Sequence, residues 1–292
     1  MKVLLPKTLD EALTLRAEHP GSTPVAGGTD VMVDLNFDRL RPEVLIDISR
    51  IADLQEIRRD DGIVFLGAGV TYATIMRELR DFVPLVQACR AVGSPQIRNR
   101  GTVGGNLGTA SPAGDALPVL AAYDAEVVLA SAPNGVRSLP WNEFLVGPKQ
   151  SALQPDELIL GTRWKPALGP GSFSKIGARN AMVISIAALC LQVDEDTHEI
   201  RVALGSVAPT VVRAPQAEAF ATRALTEAGA WNNATVGLPA AAVEDFGRLV
   251  SEAATPIDDL RGTADYRRHA CAVLARRALS WALQEREATA GL

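Results

Sequence analysis

The stretch RNRGTVGGNLGTASPAGDALP, from Arg98 to Pro118, sets Gly101, Gly104, Gly105, Gly108 and Gly114 among Asn106, Thr109, Ser111 and Asp115. Glycine allows a positive φ and lets a ligand reach the backbone without meeting a Cβ. Successive free amides in such a turn form a concave anion site. A second turn of the same character, AGGTD, covers Ala26 to Asp30. Two such turns in one N-terminal half suggest two walls around one diphosphate. A branched side chain at Gly104 or Gly105 would then occupy space the diphosphate needs. Read alone, GTVGGNLG also fits a tight crossover connection; beside AGGTD the cradle is the stronger reading. The common phosphate signatures are absent. There is no GxxxxGK[ST], and GAGVTY at Gly67 lacks the third glycine of a dinucleotide fingerprint and reads as a plain turn.

Other chemistry is sparse. Cys89, Cys190 and Cys271 are far apart and form no CxxC pair or metal-ligand spacing. They read as buried free thiols, which fits a reducing cytoplasm. His19, His198 and His269 lie outside the glycine motifs and read as surface or helix-end residues. No residue is singled out as a nucleophile, general base or metal ligand. Net charge is -5, and no Lys/Arg run stands out, which argues against nucleic acid as a partner. The N-terminal apolar run is broken by Pro6, Asp10 and Glu11, so it reads as neither signal peptide nor membrane span. At 292 residues the chain has room for about two domains.

The elements that must position these turns follow from local pattern. Thr8-Leu-Asp-Glu11 reads as a capping box opening a helix that runs to about His19 and stops before Pro20-Gly21. VAGGTDVMVD, from Val25, reads as a short strand breaking into the glycine turn. EVLIDIS is a buried strand, and EIRRDDGIVFLGAG a hairpin around Asp60-Asp61-Gly62. Helices are expected at 71–79, at 84–92 and over DALPVLAAYDA. AEVVLAS, NGVRSLP and DELILGTRW read as strands. PALGPG (166–171) is the best linker, giving a first domain over 1–167, with subdomains about 1–55 and 56–167, and a second over 172–292. VISIAALCLQVDEDTHEIRVALGSV reads as two apolar strands around an acidic turn. The last helix, about Asp265 to Glu285, carries Arg267, Arg268, Arg276 and Arg277, read as a solvated face or a subunit contact. The class is α+β, without the regular alternation of a doubly wound sheet.

VAGGTDVMVDL followed by GSPQIRNRGTVGGNLGTASPAGDALPVLAAYDAEV resembles the FAD-binding middle subunit of the molybdenum hydroxylases, which include xanthine and carbon monoxide dehydrogenases. ELILGTRW, FSKIGARNAM and DDLRGTADYRRHACAVLARRAL fall where that family places later signatures, so the resemblance covers nearly the whole chain. It implies a two-subdomain FAD-binding fold of the vanillyl-alcohol oxidase (PCMH) type, plus a smaller α+β C-terminal domain of the CO dehydrogenase flavoprotein type. It implies that Ala26, Gly27, Gly28, Thr29 and Asp30 wrap the FAD diphosphate. Gly104, Gly105 and Asn106 would do so from the opposite side, with Thr102 among the cofactor-binding residues. Thr109 and Ser111 would bond phosphate or ribityl oxygens, and Asp115 the ribityl or adenosine hydroxyls. Leu158 or Ile159 would flank the flavin, and Lys175 would lie near its edge, raising its potential. On local pattern alone Asp115 also reads as a helix N-cap and Lys175 as a strand-edge lysine.

The resemblance further implies an electron relay. Substrate is hydroxylated at a molybdopterin cofactor in a large partner, and [2Fe-2S] clusters of a small partner feed this FAD, which passes electrons to NAD+, oxygen or a quinone. Xanthine or a related purine leads the substrate expectations, with carbon monoxide, aldehydes and aromatic heterocycles as alternatives, and a dimer of heterotrimers is the implied assembly. Relatives often carry Arg-x-x-x-Asp-Ile where this chain has RNAMVI, so Val183 inherits no role from that Asp. The absence of a mid-chain cysteine cluster argues against the extra cluster of 4-hydroxybenzoyl-CoA reductases. Two other roles remain: a stand-alone enolpyruvyl-type flavin reductase, for which Ser206 has no evident partner acid, and a flavin-free scaffold.

Overall fold

The computed structural model describes residues 1–290. In chain order its elements are strand β1 (Lys2–Leu4), helix α1 (Leu9–Glu18), β2 (Thr23–Val25), α2 (Val31–Asn36), β3 (Val44–Asp47), a 3-10 turn (Ala52–Gln55), β4 (Ile57–Asp60), β5 (Ile63–Gly67), α3 (Tyr72–Glu78), α4 (Val83–Ala91), α5 (Pro95–Arg98), α6 (Val103–Thr109) and α7 (Ala116–Ala122). There follow β6 (Glu126–Ser131), β7 (Gly135–Pro140), α8 (Trp141–Phe144), β8 (Leu145–Gly147), β9 (Gln150–Ser151), β10 (Leu158–Trp164), β11 (Gly171–Ile176), β12 (Ala187–Asp194), β13 (Glu199–Gly205), β14 (Val212–Arg213), α9 (Pro215–Glu227), α10 (Ala240–Glu252) and α11 (Ala264–Ala290). They form two compact units. The first takes residues 1–78, 92–111 and 124–165; the second takes 79–91, 112–123 and the described residues from 166 on.

The first unit holds two large elements of sheet. A three-stranded parallel sheet runs in the order β1-β3-β2. Here the first 47 residues do alternate strand and helix, a local order absent from the rest of the chain. The capping box opens α1: Thr8 Oγ1 accepts from the Glu11 amide at 3.2 Å, and Glu11 Oε2 reaches back to the Lys7 amide at 2.7 Å. A five-stranded antiparallel sheet, β4-β5-β10-β6-β7, supplies the other element. Its β4–β5 hairpin turns on Asp61 (φ 51°) and Gly62 (φ 74°), the two positive φ values of a type I′ turn. Ala12, Ile46, Ile48, Ile51, Leu54 and Leu158 make a buried cluster of this unit.

The second unit is a four-stranded antiparallel sheet, β11-β12-β13-β14, clad by helices. Every residue of β12 is buried. Ala187, Leu189, Leu191 and Val193 face a core shared with α9, α10 and α11. The other side meets α4 and α7: Phe173 N–H donates to Gln87 Oε1 at 2.7 Å, and a side chain at Gly205 would run into Pro118. A strand covered on both faces reads as continuous apolar sequence, as AALCLQV does.

One sequence expectation changes here. The four arginines of α11 do not share a solvated face. Arg268 and Arg277 are exposed, but Arg267 is only 4% exposed. Its guanidinium donates to Ile186 O and Ser206 O, both at 2.7 Å, and pairs with Asp259 at 2.6 Å. Adjacent residues on a helix are separated by about 100°, so Arg267 and Arg268 must point to different surroundings. Among the described residues no helix is long and apolar enough to cross a membrane.

Candidate functional site

The two glycine segments meet within the first unit. The turn 26–30 leaves β2 and enters α2, with Gly28 at φ 76°. Arg100 lies against it. A Cβ on Gly27 would collide with the Arg100 carbonyl, and Arg100 Nε donates to Gly27 O at 3.4 Å. Thr109, the last residue of α6, donates through Oγ1 to Asp30 Oδ2 at 2.7 Å. Among the described residues, no acceptor in the chain takes the amides of Gly27, Gly28, Thr29 or Asp30. Four adjacent donors with a left-handed residue among them make a concave nest for an anion. Ala26, at the start of the turn, packs on the core cluster.

The second glycine segment folds as helix where local pattern suggests turn. Thr102 caps α6, its Oγ1 accepting from the Gly105 amide at 3.0 Å. Three glycines are poor helix formers; tertiary contact holds them. The Gly104 amide donates to Ala68 O at 3.1 Å, and a Cβ at Gly104 would meet Ala68 O at 2.5 Å. The reason for glycine at 104 is therefore close approach to the β5–α3 connection, not space for a ligand, and this corrects the sequence argument for that position. Gly105 and Gly108 differ. Both are exposed, and a Cβ there would meet only Thr102 Oγ1 at 3.2 Å and Ile159 Cδ1 at 3.6 Å respectively. Asn106 presents a buried Oδ1 with no partner. The helix ends at Ala110 in a left-handed conformation (φ 46°), and Ser111 follows. Of the two flavin-flanking candidates on β10, Leu158 is taken into the buried cluster, whereas Ile159 lies by Gly108.

Asp115 and Lys175 belong to the second unit. Asp115 occupies the N-cap position of α7, yet its side chain makes no capping bond. Asp115 Oδ2 instead accepts from Lys175 Nζ at 2.6 Å, and Lys175 also donates to Ala91 O at 3.0 Å. Their side chains are 6% and 10% exposed, so Lys175 is a buried ion-pair partner rather than a surface lysine. Burial pushes the Asp115 carboxyl above its ordinary range, against the opposing pull of Lys175. Asp115 in turn adds to burial in raising the Cys89 thiol. Asp115 Oδ1 is buried without a partner. In the loop after β11, Val183 fills the space above Gly177, and Arg179 donates to Ala181 O at 3.1 Å.

These features fit a flavin dinucleotide: unpaired amides at 27–30 for its diphosphate, two exposed glycines on the helix whose last residue bonds Asp30, and an orphaned amide oxygen on Asn106 able to accept from a ligand hydroxyl or N–H. Comparison with known proteins agrees. Residues 1–163 match the FAD binding domain in molybdopterin dehydrogenase, and 172–282 match the CO dehydrogenase flavoprotein C-terminal domain. The class is a two-domain FAD-binding protein of the PCMH type. The chain belongs to the FAD-binding subunits of the molybdenum hydroxylases, the xanthine and carbon monoxide dehydrogenase family of oxidoreductases. It is 30% identical to the xanthine dehydrogenase FAD-binding subunit of Escherichia coli O157:H7, over 94% of each chain. It is 35% identical to the nicotinate dehydrogenase FAD-subunit of Eubacterium barkeri, over 65% of this chain and 68% of that one. Among solved structures, a chain of carbon monoxide dehydrogenase from Hydrogenophaga pseudoflava superposes with a TM-score of 0.84 at 26% identity, covering 98% of each.

Three participants carry no local signal in the sequence. Arg100 and Ala68 gain their roles only when the fold brings them to Gly27 and Gly104. Arg267 looked solvated because nothing local shows that two carbonyls converge on it. Spacing gives no signal for any of the three.

Proposed function

We propose that this chain carries electrons between partner subunits and a soluble acceptor. FAD held by the turn 26–30 and α6 would supply the step between one-electron donors, the iron–sulfur clusters of a small partner, and a two-electron acceptor, with substrate hydroxylation assigned to a large molybdopterin-bearing partner. The observation that carries the reading is the run of unpaired amides at 27–30, joined through Asp30 to Thr109 at the end of the glycine helix that also holds the unpartnered Asn106 oxygen. The residues' work is to bind and orient. The turn 26–30 donates amides to the diphosphate, Thr109 fixes Asp30, and Asn106 offers an acceptor. Thr102 keeps the first turn of α6 closed by taking the Gly105 amide. No side chain of the cradle is asked to move a proton.

The substrate class of the complex is a purine or related heterocycle. Support comes from the xanthine relative, which aligns along 94% of both chains. The relatives named for nicotinate and carbon monoxide mark the alternatives. NAD+ is the proposed acceptor, with oxygen or a quinone as competitors. A reducing compartment suits the three free, buried thiols. The test is reconstitution with the partner subunits followed by turnover with xanthine, nicotinate or carbon monoxide and with each acceptor. Reduction of NAD+ driven by a purine supports the reading. Turnover only with a non-purine substrate, or only with another acceptor, overturns the corresponding half of it.

A further inference from the structure

We infer that Arg100 supplies the positive charge that neutralises the diphosphate held at the turn 26–30. The inference rests on the flavin reading of that turn and adds a residue to it. The expected donors on the opposite side are already spent. The amide of Gly104 serves Ala68 O, that of Gly105 serves Thr102 Oγ1, and that of Asn106 serves Thr102 O. The turn itself offers amides but ends in Asp30, whose carboxylate repels an anion. The amides answer only part of a diphosphate's charge, and a cation at this place would add to them.

Arg100 meets the turn twice. Its carbonyl packs on Gly27 so closely that no Cβ fits, and its Nε tethers to Gly27 O at 3.4 Å. Gly27 is thus glycine because Arg100 must approach it. Among the described residues the terminal nitrogens of Arg100 take no acceptor in the chain. Arg98, two residues earlier, is committed elsewhere, with Nη1 on Val92 O and Gly93 O at 3.0 Å each. A guanidinium held by Nε presents its remaining N–H groups as a planar fork, the geometry that matches two phosphate oxygens.

The test uses the full chain stripped of flavin and retitrated with FAD, followed by flavin fluorescence, with ADP as a competing probe for the diphosphate half. Arg100→Gln should weaken FAD and ADP alike by about tenfold at low salt, a gap that narrows at high salt as screening weakens the attraction that only the wild type has. Arg100→Lys should keep the salt dependence. In the unmutated chain, ADP should protect Arg100 from phenylglyoxal, read by peptide mass spectrometry; this measurement stands even if the Gln variant fails to fold. Equal affinities and equal salt dependence, or Arg100 labelling indifferent to ADP, would overturn the inference and leave the flavin reading intact. A wild-type chain that takes up neither FAD nor ADP would overturn the flavin reading itself.

Discussion

Thr109 Oγ1 donates to Asp30 Oδ2 at 2.7 Å, closing a contact between residues 79 positions apart. It joins the end of α6 to the end of the first glycine turn, so the two walls of the cradle are latched in the free chain. Such a bond to a carboxylate also turns part of the Asp30 charge away from any anion in the nest. Thr109→Val should therefore raise the Kd for FAD about tenfold, from one charged hydrogen bond worth about 1.5 kcal/mol. Thr109→Ser should restore binding. Hydrogen exchange across 26–36 should quicken in the Val variant only; unchanged exchange would mean the latch does not hold the turn.

Gly104 and Gly105 separate packing from ligand space. Gly104→Val drives a side chain into Ala68 and should destabilise the fold by about 3 kcal/mol or more, as overpacking with backbone displacement does. Gly105→Val, on the exposed side, should fold with a melting temperature near wild type and fail to retain FAD. Thermal unfolding and flavin content, measured together, check both. Gly105→Val with full flavin would move the cofactor away from this face.

The Asp115–Lys175 pair predicts two separable effects. Removing either partner leaves the other buried and uncompensated, a loss of about 3 kcal/mol. A double variant, Asp115→Asn with Lys175→Met, should recover part of that loss, measured by a denaturant double-mutant cycle. If Lys175 also acts on the flavin, as the family resemblance implies, Lys175→Met in the holoprotein should lower the flavin midpoint potential. An unchanged potential leaves the pair a structural one.

Asp259 sets an acid limit on the second unit. The Arg261 amide first, then Arg267 and the Arg261 side chain, hold its carboxyl at about 2, against an ordinary 3.8. A depressed carboxylate contributes stability that is present above about pH 4 and lost as pH falls towards 2. Partial exposure limits the contribution to about 1 kcal/mol. Asp259→Asn should flatten stability over that window, read from urea midpoints between pH 5 and about 2. A wild-type curve already flat there would contradict the assignment.

How much of this was legible beforehand depends on how local each signal is. The capping box of α1, the Asp61-Gly62 hairpin and the apolar pair β12–β13 are written in neighbouring residues and are legible directly. The meeting of AGGTD with the second glycine segment was inferred from composition, and the structure joins them through Arg100 and Thr109. Helix α6 is not legible because glycine opposes helix locally, while Thr102 and Ala68 stabilise it through contacts that spacing does not encode. Asp115 shows the same limit. Its sequence position says N-cap, but its partner lies 60 residues away on β11.

The most direct measurement is the visible spectrum of the purified full chain, then denaturation and identification of the released cofactor. The account predicts flavin absorption and non-covalent FAD at about one per chain, the stoichiometry of a single nest. A colourless chain that also fails to take up added FAD would contradict it and leave a flavin-free scaffold as the remaining role.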